Sequence, residues 1–92
     1  MPLTDQVTFK VQLQNQNRLQ VPRIVRWQYK IEPSQIMKVN LRVHELVFSE
    51  SFLAKMLPDG RIPVPRFVIV LLQQSTDNLK SFFLEVTLEP VG

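Results

Sequence analysis

Ninety-two residues with a net charge of +3, 45% hydrophobic content, two glycines and no cysteine make a single domain with an ordinary core. That composition excludes a low-complexity chain, and the missing thiol excludes disulfides, thiolate metal sites and a cysteine nucleophile. The longest apolar run, Phe67 to Leu72, is too short to span a bilayer, and Met1 to Asp5 carries no signal-peptide pattern, so a soluble cytoplasmic protein with no membrane partner is expected.

The charge is uneven. Residues 10–43 hold seven bases (Lys10, Arg18, Arg23, Arg26, Lys30, Lys38, Arg42) against Glu32, a net +6. Residues 44–92 hold four bases and six acids, a net −2. A basic half can steer an anionic partner, although a solvated face explains the same asymmetry.

Residues 6–14 alternate, with Val7, Phe9, Val11 and Leu13 on one side and Thr8, Lys10, Gln12 and Gln14 on the other, which predicts a half-buried strand. Asn15-Gln16-Asn17 reads as a turn, and Arg18 to Val21 as a short strand in a hairpin with the first. Pro22 suits a helix start. Ile24, Trp27 and Ile31, with Val25 and Tyr29 beside them, predict a two-turn amphipathic helix that ends at Glu32-Pro33. Ile36 to Val43 then predicts a third strand with Val39, Leu41 and Val43 inward.

The pattern then recurs. Shifted by 43 positions, Asn17-Arg18-Leu19-Gln20-Val21-Pro22-Arg23 lies on Gly60-Arg61-Ile62-Pro63-Val64-Pro65-Arg66. The same offset pairs Phe9 with Phe52, Val25 with Val68, Leu41 with Leu84 and Val43 with Val86, an ungapped internal repeat. Phe48 to Leu57 is thus a strand with Phe52, Ala54 and Met56 inward, Pro58-Asp59-Gly60 a turn, and Arg61 to Val64 a short strand. Phe67 to Leu72 looks like a strand by propensity, but the repeat predicts a helix there, closed by Ser75 to Asn78. Leu79 to Glu89 is the last strand, with Phe82, Leu84, Val86 and Leu88 inward. The expected fold is mainly β with two short helices: a six-stranded closed barrel of duplicated ββαβ units, one domain over 1–92 with repeats at 6–45 and 47–89.

The segments Asn17 to Arg26, Ile31 to Gln35 and Gly60 to Pro65 resemble the AbrB/SpoVT family of DNA-binding domains, with its Gly-Arg-apolar-x-apolar-Pro opening. The family's later Gly-Asp is Ser34-Gln35 in the first repeat and Asp77-Asn78 in the second, and its helix Arg is Arg26 but then Ile69. With both units in one chain, the sequence is similar to the wider cradle-loop barrels, and in particular to a small uncharacterised archaeal protein with a RIFT-type barrel. Short links between strands favour RIFT closure over the swapped-hairpin form, and the oligomeric state is left as monomer or homodimer.

The resemblance and the basic first repeat together imply a non-enzymatic nucleic-acid-binding barrel, an AbrB-like regulator of DNA or RNA partners. Arg18, Arg23, Arg26, Lys30, Arg61 and Arg66 are the phosphate-contact candidates. Equally open is a structural role for Arg18 and Arg61 in which each pairs with a carboxylate or carbonyl at its strand end. Trp27 and Tyr29 are expected in the core, with base stacking as their alternative. A second function is a protein- or small-ligand-binding assembly module, suggested by the apolar 67–72 helix and by outward Leu53, Leu57 and Phe83. Enzyme chemistry has the least support. His44 is alone, Glu85 and Glu89 are ordinary outward carboxylates, and no metal or cofactor motif is present. A flavin or nucleotide in a barrel mouth would need no local motif.

Overall fold

A computed structural model describes residues 5–43, 49–74 and 83–91. Its elements run β1 (Val7–Gln12), β2 (Arg18–Gln20), α1 (Arg23–Gln28), β3 (Ile36–Val43), β4 (Ser49–Lys55), β5 (Arg61–Pro63), α2 (Arg66–Gln73) and β6 (Phe83–Pro90). The expected closing turn at Ser75 to Asn78, the start of the last strand, Phe82 and His44 lie outside the described residues.

The strands form two antiparallel sheets, a four-stranded one in the order β1-β6-β3-β4 and a two-stranded ribbon of β2 and β5. The sheet has one wet and one dry side, as strict alternation demands. Phe9, Met37, Val39, Leu41, Phe52, Leu84, Val86 and Leu88 are buried on its inner side. Cross-strand polar pairs decorate the outer side: Thr8 with Thr87 at 3.0 Å, Asn40 donating to Ser51 at 2.8 Å, and Arg42 to Glu85 at 2.8 Å. Leu19 of β2 and Ile62 of β5 are fully buried in the same core cluster, so the ribbon lies against the dry side of the sheet.

The closed barrel, and with it the choice between RIFT and swapped-hairpin closure, is corrected by this pairing. Among the described residues β1 and β4 are the free edges of an open sheet, and no ladder joins them. The expected hairpin of β1 with β2 reduces to one bridge, Gln14 to Arg18, through a 2.8 Å hydrogen bond. The physical reason is the shortness of β2 and β5. Each is three residues long, begins just after residues of positive φ (Gln16 and Asn17, or Gly60), and is followed closely by a proline that cannot donate to a ladder. Such strands can pair with each other but cannot reach both edges of the larger sheet.

Among the described residues every ladder joins a strand of the first repeat to one of the second: β1 to β6, β2 to β5, β3 to β4 and β3 to β6. The registers are related by a local two-fold axis. In the ribbon Leu19 faces Ile62, and the flanking pairs, Arg18 with Pro63 and Gln20 with Arg61, exchange under the 43-residue shift. Two hydrogen bonds of 2.9 Å do the same, Val21 N–H to the Gly60 carbonyl and Val64 N–H to the Asn17 carbonyl.

The shift is not constant, which corrects the ungapped repeat. The Val7–Leu88 pair of one ladder answers the Glu50–Leu41 pair of another, so Val7 and Glu50 keep the offset of 43 while Leu41 and Leu88 stand 47 apart. Helix α2 has eight residues against six in α1. Leu41 therefore corresponds to Leu88 rather than to Leu84, and Asn40 faces Thr87 on the axis. An insertion of even length keeps the in-and-out alternation of a strand, so the sequence pattern alone could not expose it.

Candidate nucleic-acid interface

The residues proposed from sequence to meet a polyanion come partly together. Directly opposite residues in an antiparallel pair share a side. Because Leu19 and Ile62 point into the core, Arg18, Gln20, Arg61 and Pro63 occupy the outer side of the ribbon, with Arg18 and Arg61 as diagonal neighbours. Arg18 is half-buried and its side chain has no ion pair among the described residues. Arg61 is held more firmly. Its Nε donates to Gln20 Oε1 at 3.4 Å and lies 3.8 Å from Asp59 Oδ2, with its backbone N–H on Asp59 Oδ1 at 3.1 Å. The side chains of both Arg61 and Asp59 remain about half exposed, at 43% and 53%, so solvent screens this pair strongly. The structural role weighed for Arg61 is thus present, but it leaves the guanidinium open to a stronger anion.

Gly60 ties the ribbon to α1. It closes a turn with its N–H on the Leu57 carbonyl at 2.9 Å, and it is buried at φ +87, a conformation that suits glycine. The Gln20 amide donates to the Asp59 carbonyl of the same turn at 3.3 Å. The Arg26 guanidinium of α1 packs on Gly60 so closely that a Cβ there would stand 2.5 Å from Arg26 Cζ. Arg26 Nε is sealed from solvent without a hydrogen-bond partner. Arg26 also lines, with Arg23 and Trp27, an open hollow of about 420 Å³. A second hollow of similar size is lined by Leu13, Gln14, Asn15 and Arg61. Arg18, Arg61, Arg26 and Arg23 therefore follow one another from the ribbon to α1.

Lys30 and Arg66 do not join this group through any contact among the described residues. Arg66 is exposed at the start of α2. Lys30 has a backbone explanation: at φ +54 it ends α1, and the Ile31 N–H turns back to the Arg26 carbonyl at 3.0 Å. The helix thus stops before Pro33, the terminator expected from sequence.

Trp27 overturns the expectation that it lies in the core. It is 79% exposed and Ile24 67%, while Val25 and Tyr29 pack against the core. Helix α1 turns Val25, Arg26 and Tyr29 inward rather than Ile24 and Trp27, while Ile31, just beyond its end, is buried in the core as expected. The second helix has the same rotation. The α2 counterparts of Val25, Arg26 and Tyr29 are Val68, Ile69 and Leu72, all buried, and the counterparts of Ile24 and Trp27 are Phe67 and Val70, both exposed.

Leu53 and Phe83 are exposed as expected, and Leu57 is half-buried. No cluster of three or more metal-ligating side chains occurs among the described residues, and no helix among them is long and apolar enough to cross a membrane. No family model, curated protein or solved structure matches the chain.

Proposed function

We propose that this protein is a non-enzymatic, cytoplasmic nucleic-acid-binding module, working without a cofactor in the manner of the AbrB-like regulators its Arg-containing openings resemble. The observation that carries the reading is the run of four arginines from the ribbon to α1, Arg18 and Arg61 followed by Arg26 and Arg23, with Asp59 paired to Arg61 alone of the four. Arginine suits this role because its planar fork can hold two phosphate oxygens at once. The bracing of Arg26 by Gly60 limits the entropy lost on binding.

The test is affinity against salt, by filter binding or fluorescence anisotropy. Four neutralised phosphates give a slope of log K on log salt of about −3.6 on duplex DNA and about −2.8 on a single strand. Arg18→Gln and Arg61→Gln should each reduce that slope by about one. No binding to any nucleic acid at low salt would overturn the proposal.

A second reading, an assembly module that binds protein, is favoured by the apolar pair exposed at equivalent places on both helices, Ile24 with Trp27 and Phe67 with Val70. Light scattering over a concentration series separates the two readings. A homodimer lost on Phe67→Ser, with no affinity for nucleic acid, would favour assembly.

A further inference from the structure

Trp27 is the one tryptophan of the chain, and its position calls for a physical account. A Trp side chain is among the largest apolar surfaces available to a core, and leaving it in water forfeits that burial. Here it stands 79% exposed on a six-residue helix, beside two arginines with which it lines an open hollow. One of those arginines, Arg26, packs its guanidinium against Gly60. An exposed aromatic ring flanked by guanidinium groups is the combination that holds a sugar-phosphate chain while a base lies on the ring.

We propose that the hollow formed by Arg23, Arg26 and Trp27 binds single-stranded nucleic acid, with a base stacked on the Trp27 indole and the adjoining phosphates on the two arginines. This rests on the nucleic-acid reading above and narrows it to unpaired strands. Two observations select the single strand over the duplex. In a duplex the base faces are covered by their neighbours, so a protruding indole has no base face to meet unless the helix is unstacked, which costs a few kcal/mol per step. Of the outward residues of α1, only Gln28 offers a paired donor and acceptor for base edges in a groove, whereas Ile24 and Trp27, beside Arg23 and Arg26, present apolar surface. Charge selects the polymer over an apolar protein partner, since the first repeat carries a net +6 over residues 10–43. Stacking tolerates every base, so little sequence preference is expected.

The single tryptophan makes the experiment direct. The intact protein is titrated at low salt with oligo(dT), oligo(U) and a mixed-sequence duplex, and its intrinsic fluorescence is read together with anisotropy of the labelled oligonucleotide. The expected result is quenching of Trp27 by both single strands, with weaker binding of the duplex. Trp27→Ala should weaken single-strand binding about 5- to 150-fold, and Trp27→Phe should recover part of the loss. Because the side chain is exposed, neither substitution opens a cavity, and an unchanged thermal midpoint confirms the fold. Comparing oligo(dT) with oligo(U) tells whether the 2′-hydroxyl contributes. Salt-sensitive binding that leaves Trp27 fluorescence unchanged and is insensitive to Trp27→Ala overturns this inference while the general reading stands. Tighter binding of the duplex than of either single strand overturns it as well. Absence of binding to all three ligands removes the general reading together with this one.

Discussion

Gly60 is the residue whose replacement reports most on the site. A side chain there meets two obstacles, the positive φ of 87° and the guanidinium of Arg26. Gly60→Ala should destabilise the protein by about 1–3 kcal/mol in urea unfolding. Adding Arg26→Ala should restore the steric part and leave the backbone part, so the double variant should fall between the wild type and Gly60→Ala. Asp59 offers the opposite experiment. Asp59→Asn keeps an Oδ1 acceptor for the Arg61 N–H but removes the charge that competes with phosphate for Arg61. From the weight of an exposed ion pair, affinity for an oligonucleotide should rise about 1.5- to 5-fold at low salt. The unfolding midpoint should move little.

The two helices are unequal versions of one device. Both begin after a proline with no side-chain cap. Helix α2 buries Val68, Ile69 and Leu72, whereas α1 has no fully buried residue and places Arg26 where α2 places Ile69. One element serves the core with three buried residues, and the other keeps a lighter core contact through Val25 and Tyr29 beside its arginines. The end of α1 shows the same tolerance for backbone cost. Lys30 holds the left-handed position that usually falls to glycine, and buried Ile31 follows it. Lys30→Gly should therefore raise stability by about 0.5–1 kcal/mol in denaturant unfolding. If Lys30 serves the backbone rather than the ligand, the slope of affinity against salt should stay within about one unit of wild type.

At the level of the molecule, the decisive fact is that all four ladders run between the repeats. Among the described residues neither half has a strand ladder of its own, and the bridge of Gln14 with Arg18 cannot hold a sheet. Polypeptides 1–46 and 47–92, prepared separately, should each lack strand signal in far-ultraviolet circular dichroism as monomers and regain it on mixing. A monomeric half with native-like strand content would contradict the interleaved pairing. The same interleaving unites the proposed binding surface. Arg18, Arg23 and Arg26 come from the first repeat, while Arg61 and the Gly60 support come from the second. Separating the halves should therefore abolish binding along with the fold.

Much of this architecture could be read from local pattern. Alternation placed Val39, Leu41, Phe52, Val86 and Leu88 inward, because a half-wet sheet allows no other periodicity. The repeat placed a helix at 66–73 against the β-branched run of Phe67 to Leu72, because a shared register carries more information than residue propensity. Three features were beyond such reading. The open sheet depends on which strands pair, and pairing is a long-range choice that three-residue strands resolve only in space. The change of offset from 43 to 47 is silent, since a shift of four leaves every side chain on its own side. The outward Trp27 follows from the rotation of α1, which was settled when Val25 and Tyr29 met the core and Arg26 met Gly60 of the other repeat.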